Sequence, residues 1–145
     1  MNPHLQASIR PIAGQMRYAA HSDYMALTVL YQDTSVGGLE VLNRATDEWH
    51  RVPMRPHTLI VNSGEMLERW SNGRWRAGWH RVVNPGRGED EVSTSRLSIL
   101  YFTAPSEGVV VEPLKECVRA TGGVAKYGSM RAGERIEDKE GRRTE

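Results

Sequence analysis

Leu27-Thr28-Val29-Leu30-Tyr31 is a short apolar run rich in β-branched and aromatic side chains, followed by Gln32-Asp33 and, a few residues on, by Gly37-Gly38. Such a run suits a strand, because successive side chains of an extended backbone point to opposite faces. The same rhythm holds from residue 7 to residue 102, where short apolar runs are broken by Gly, Pro, Asn and Asp at close intervals. This is the pattern of an all-β sandwich or barrel. Candidate strands cover residues 8–12, 16–20, 27–31, 39–43, 49–51, 58–63, 80–84 and 96–103, which we read as two facing sheets. Gly37-Gly38 and the stretch 43–47 carry turn chemistry between neighbouring strands and suggest hairpins.

One short helix is expected over residues 65–71, Glu-Met-Leu-Glu-Arg-Trp-Ser, with Asn62, Ser63 or Gly64 at its start and Asn72-Gly73 as its stop. Residues 84–95, with Pro85, Gly86, Gly88 and three consecutive acids, read as an exposed loop. Val109-Val110-Val111 can still pack, whereas residues 131–145 hold scarcely an apolar side chain and cannot offset their ordering entropy. The expected organisation is one β domain over residues 1–116 and a flexible, charged C-terminal tail, partly disordered, over residues 117–145.

A chain of 145 residues is one domain by size. With 19 basic against 18 acidic residues it has no global field to attract a polyanion, so nucleic acid is not the expected partner. No apolar stretch approaches the roughly 20 residues needed to cross a bilayer, and the N-terminus lacks the pattern of a secretion signal, so a cytoplasmic location is expected. Cys117 is the single cysteine, which excludes an intrachain disulfide and a thiolate metal cage. Any metal must be held by nitrogen and oxygen.

The histidines are His4, His21, His50, His57 and His80. In His21-Ser22-Asp23 the two outer residues share a face if the segment is a strand, so an imidazole and a carboxylate converge. That pair alone is a weak signal, since such spacing often arises by chance. His80 sits in the apolar Trp79-His80-Arg81-Val82-Val83 and by itself reads more simply as a core histidine bonded to a carbonyl. Together, two histidines and one carboxylate form the facial set that leaves open positions on iron(II), without excluding zinc or manganese. Arg96 and Ser98 share a face of another strand, and a guanidinium fork beside a hydroxyl matches a carboxylate. Arg17, four residues before His21, faces the same way on a regular strand and could meet an anionic substrate.

These residues, with Leu27 to Asp33, Gly37-Gly38-Leu39-Glu40-Val41, Trp49 to Pro53, Leu59 to Leu67, Trp70-Ser71-Asn72-Gly73 and Arg96 to Phe102, resemble the isopenicillin N synthase-like branch of the iron(II)- and 2-oxoglutarate-dependent oxygenases. The match runs in order from about residue 9 to residue 105. It implies a double-stranded β-helix, the cupin-like jelly roll, with His21, Asp23 and His80 holding Fe(II). Arg96 and Ser98 would bind the distal carboxylate of 2-oxoglutarate. The activity implied is oxidation of an unactivated C–H bond of a small molecule with O2, releasing succinate and CO2. Trp75, Trp79 and Met25 are candidate walls of the site, with ordinary core packing as the equal alternative.

Three departures stand out. Met25 replaces the glycine usual after the aromatic residue of the His-x-Asp segment. Around residues 10–14, Pro11, Ile12 and Ala13 stand where relatives carry a tyrosine that helps hold 2-oxoglutarate. Relatives also place a helical region ahead of the core that covers one sheet; without it an apolar sheet face is expected to lie open and to favour a homodimer or mark a truncated product. Rival readings are an iron oxidase of the same fold that does not use 2-oxoglutarate, a catalytically silent jelly roll that binds a small molecule or partner, and a cupin-like isomerase.

Overall fold

The computed structural model describes residues 16–33, 37–84 and 97–134. Its strands are β1 (Met16–His21), β2 (Leu27–Gln32), β3 (Leu39–Asn43), β4 (Glu48–Arg51), β5 (Ile60–Ser63), β6 (His80–Val83), β7 (Ser98–Thr103), β8 (Val110–Val111) and β9 (Met130–Arg131). Two helices accompany them, α1 (Glu65–Trp70) and α2 (Lys115–Ala120). One sheet has the order β1-β6-β3-β4 and the other β5-β2-β7, both antiparallel. The candidate strand at residues 8–12 lies outside the described residues.

Alternation decides which side chains meet between the sheets. Thr28 and Leu30 of β2, Ile60 and Asn62 of β5, and Ser98, Leu100 and Phe102 of β7 line one side of a cavity of about 640 Å³. Arg17, Tyr18 and His21 of β1, His80 and Val82 of β6, and Leu39 and Val41 of β3 line the other. The opposite face of β5-β2-β7 carries Tyr31, Val61, Ile99 and Tyr101, all exposed, with Tyr101 at 69%. Their registers, Val29 against both Val61 and Tyr101, and Tyr31 against Ile99, join them into one apolar patch.

The 43–47 stretch is a hairpin turn, with Asp47 at φ 57° and the Asn43 side-chain oxygen accepting from the Ala45 amide. Gly37-Gly38 does not make a hairpin, because β2 and β3 belong to different sheets. Gly38 instead pairs through its carbonyl with the Val83 amide at 2.9 Å, and a Cβ there would lie 2.5 Å from the Val83 oxygen. The sequence pattern shows where the chain turns and is silent on which sheet it enters next.

α1 matches the expected helix, begins at Gly64 without a side-chain cap, and stops at Asn72 and Gly73, both at positive φ. Gly64 is needed for close approach: a Cβ there would collide with the Met25 carbonyl oxygen and lie 2.9 Å from the Asp23 oxygen. The α1 entry is thus welded to the loop that carries Asp23, with the Gly64, Glu65 and Met66 amides donating to the Ala26, Asp23 and Met25 carbonyls.

The C-terminal segment departs from expectation. The boundary drawn between residues 116 and 117 falls inside α2, a second helix that the sequence pattern did not lead us to expect. β8 and β9 pair, and Val111 and Ala132 join Met66 of α1 in a fully buried cluster. Fully buried Asn72 donates to the Thr121 hydroxyl at 2.5 Å and the Val124 carbonyl at 2.9 Å, and accepts from the Lys126 amide at 2.8 Å. Residues 117–134 therefore belong to the folded body, because the residue that stops α1 also satisfies their backbone; residues 135–145 lie outside the described residues.

Gly64→Ala should cost about 1–3 kcal/mol by overpacking against the Asp23 loop and lower the unfolding midpoint by roughly 5–10 °C. Gly128→Ala, where an added Cβ meets nothing within 4 Å, should leave it unchanged to within about 0.5 kcal/mol. Thermal denaturation of the two variants checks this.

Candidate metal centre

β1 and β6 are paired so that His21 stands directly opposite His80, which puts the two imidazole centroids 4.2 Å apart. Each ring is oriented from behind by its own chain. His21 Nδ1 lies 2.8 Å from the Ala19 carbonyl and His80 Nδ1 lies 2.9 Å from the Gly78 carbonyl. A carbonyl can only accept, so both Nδ1 atoms carry a proton, and in the neutral rings Nε2 is the atom left to bind a metal.

Those Nε2 atoms face a buried carboxylate. Asp23 Oδ1 lies 3.7 Å from His21 Nε2 and 3.8 Å from His80 Nε2. Its other oxygen, Oδ2, accepts from the Thr28 hydroxyl at 2.5 Å and from the Asn62 amide at 2.9 Å. Thr28 and Asn62 come from β2 and β5, so the second sheet grips the carboxylate while the first supplies the histidines. The gaps to Oδ1 are too long for hydrogen bonds. Each of the three residues offers one ligand atom, and these atoms lie within 4.8 Å of one another, an arrangement that could hold a cation.

His21 and Asp23 do converge, but not by strand alternation. β1 ends at His21, and Asp23 lies in the connection to β2, aimed by Thr28, Asn62 and the Glu65 amide that holds its own carbonyl. Ser98 reaches the same cavity, and its hydroxyl oxygen is the single buried side-chain polar atom without a partner among the described residues. Asp33 fixes the entry to β7, its amide donating to the Leu97 carbonyl and its carboxylate accepting from the Leu97 amide. Arg96 lies outside the described residues.

Met25 lines the cavity, whereas Trp75 and Trp79 do not; they are exposed, and the alternation that aims His80 inward turns Trp79 outward. Arg17 lines the cavity and donates through Nε to the Asn84 side chain at 3.0 Å. Thr28 and Asn62 were not singled out from sequence. A signal was present, since Thr28 sits between Leu27 and Val29 and Asn62 follows Ile60-Val61, each at a position alternation turns inward.

The donor set suits Fe(II): two neutral imidazoles and one carboxylate on one side of an ion, with a cavity on the other. The orphan hydroxyl of Ser98 suits a polar ligand in that cavity. A family model described as the 2OG-Fe(II) oxygenase superfamily matches residues 2–105. The chain belongs to that superfamily. The homoarginine-6-hydroxylase 2-ODD-233 of Oryza sativa subsp. japonica is 38% identical over 120 residues, covering 83% of this chain and 34% of that protein. Proline hydroxylase buaE of Petromyces alliaceus is 41% identical over 110 residues, covering 74% of this chain and 34% of that protein. Among solved structures, a full-length Neurospora crassa protein in complex with alpha-KG superposes with a TM-score of 0.76 at 31% identity, covering 88% of this chain and 38% of that one. This superfamily member therefore has the double-stranded β-helix fold and spans about a third of the length of the curated relatives it matches.

Asn62→Ala and Thr28→Val each remove one of the donors that hold Asp23. If Asp23 holds the ion, either change to its support should weaken Fe(II) binding about 10–100-fold. Anaerobic Fe(II) titration of the purified variants measures it.

Proposed function

We propose that this chain is the catalytic core of an Fe(II)- and 2-oxoglutarate-dependent dioxygenase that oxidises an unactivated C–H bond of a small molecule. The observation that carries the reading is the His21, Asp23 and His80 cluster opening onto a cavity that also holds the unpartnered Ser98 hydroxyl. Superfamily membership and the 2-oxoglutarate-dependent enzymes among its relatives support it.

When bound, Fe(II) with 2-oxoglutarate and O2 would supply the oxidising power, with succinate and CO2 as co-products. The protein's part is to hold and to exclude. His21 and His80 through Nε2 and Asp23 through Oδ1 would hold the ion beside the cavity. Thr28 and Asn62 keep Asp23 from rotating, and the Nδ1 contacts keep both imidazoles in the tautomer that binds metal. Ser98 would donate to the distal carboxylate of 2-oxoglutarate, and Arg96, two residues before it in the sequence, would supply the guanidinium. Leu30, Leu39, Leu100 and Phe102 give the cavity apolar walls that favour the carbon skeleton of a substrate over water.

Among the described residues no helix is long and apolar enough to cross a membrane. We place the protein in the cytoplasm, acting on a small molecule and O2 rather than on nucleic acid. The exposed patch of Tyr31, Val61, Ile99 and Tyr101 fits a second copy of the chain, giving a homodimer.

Anaerobic addition of Fe(II) and 2-oxoglutarate should give the weak visible charge-transfer band of the chelate. His80→Ala should abolish the band, and Arg96→Ala should raise the 2-oxoglutarate concentration required; a band unchanged in both variants refutes the site. Measuring succinate with and without candidate substrates separates this reading from an oxidase that spares 2-oxoglutarate. Sedimentation should give a dimer that Tyr101→Glu combined with Val61→Glu converts to monomer; a wild-type monomer at all concentrations ends the dimer assignment.

A further inference from the structure

His80 is aimed by a chain of contacts that begins outside both sheets. Its Nδ1 donates to the Gly78 carbonyl at 2.9 Å. The segment just before it is pinned at several points: the Gly78 amide donates to the Ser63 carbonyl at 3.0 Å, and the buried Ala77 donates its amide to Glu68 Oε2 at 2.7 Å. Glu68 is a half-buried α1 residue that touches neither the cavity nor the three clustered side chains. Its second oxygen, Oε1, accepts from the Tyr127 hydroxyl at 2.8 Å. Tyr127 sits in the C-terminal segment that Asn72 anchors, and Arg69 lies over its ring at 5.4 Å.

We propose that Glu68 is a positioning residue for His80, coupling the folded C-terminal segment through Tyr127 to the backbone that sets the imidazole's direction. The inference rests on the metal-site reading above. A carboxylate can satisfy two donors on opposite sides at once, and this one ties residue 127 to residue 77 across α1. Without it the Ala77 amide is a buried donor with no acceptor, and the Gly78 carbonyl is free to swing. Partial burial, and next the bond to Glu68, push the Tyr127 phenol above its ordinary value, outweighing Arg69 and Arg76, so it remains the donor at neutral pH. The neighbouring connection is held in the same way: Ser22, between His21 and Asp23, donates to Glu65 Oε1 at 2.9 Å. One short helix thus grips the segments beside all three clustered residues, and Glu68 is its grip on the His80 side.

The test is an anaerobic titration of the full chain with cobalt(II), whose visible ligand-field bands report the imidazole and carboxylate set, with unfolding midpoints recorded in parallel. Glu68→Ala should weaken cobalt(II) binding about tenfold or more and shift the bands. Glu68→Gln should restore binding to within a few-fold, because its amide oxygen still accepts from Ala77 and its NH2 group can donate to Tyr127. Tyr127→Phe should cause a smaller loss in the same direction, and it decides the matter if Glu68→Ala does not fold. Variants with lowered midpoints but wild-type affinity and bands would overturn the inference and leave Glu68 a structural residue. Wild-type chain that binds no cobalt(II) would overturn the metal-site reading and this inference with it.

Discussion

Asp23 is a carboxylate buried where two β-sheets meet, and a buried charge must find partners or a cation. One oxygen takes its partners from the β5-β2-β7 sheet, through Thr28 and Asn62; the other faces two imidazoles that the β1-β6-β3-β4 sheet supplies. The sheets cannot slide past each other without stripping the carboxylate of donors or moving the histidines off it. The constraint that joins the sheets is therefore the same one that shapes the candidate metal centre.

The rest of the molecule is arranged to keep that junction open rather than filled. Among the described residues few apolar side chains are fully buried, and the buried cluster of Met66, Val111 and Ala132 lies beside α1 and not between the sheets. The space between the sheets is a cavity with mostly apolar walls. A hollow of this kind needs rigid edges, and the ladders of β1 with β6 and of β2 with β7 provide them. The β1–β6 ladder is irregular, with register shifts on either side of Tyr18, and regains its pairing at His21 and His80.

α1 is only six residues long, yet its contacts run in three directions. Its first amides hold the Asp23 loop, Glu68 holds the segment before His80, and the Asn72 that ends it holds the C-terminal segment. A helix this short has little stability of its own. Its persistence comes from those contacts, so the C-terminal residues are part of the architecture around the site.

The β rhythm, the short helix with its Asn-Gly stop, the hairpin at residues 43–47 and the candidate metal set of His21, Asp23 and His80 are all legible in the order of the residues alone. Side-chain alternation and turn residues are local signals, which is why the strands, the helix stop and the hairpin can be read there; the single cysteine and the small number of histidines narrow the candidate ligands, although alternation is not what brings Asp23 to His21. Three features emerge only once the chain is folded: Gly37-Gly38 leads from one sheet to the other, Asp23 is aimed by Thr28 and Asn62 rather than by a strand, and residues 117–134 pack onto α1. Each of these rests on a hydrogen bond or close contact between elements distant in the chain. Periodicity reports which face a side chain takes, but not which partner the fold will bring against it.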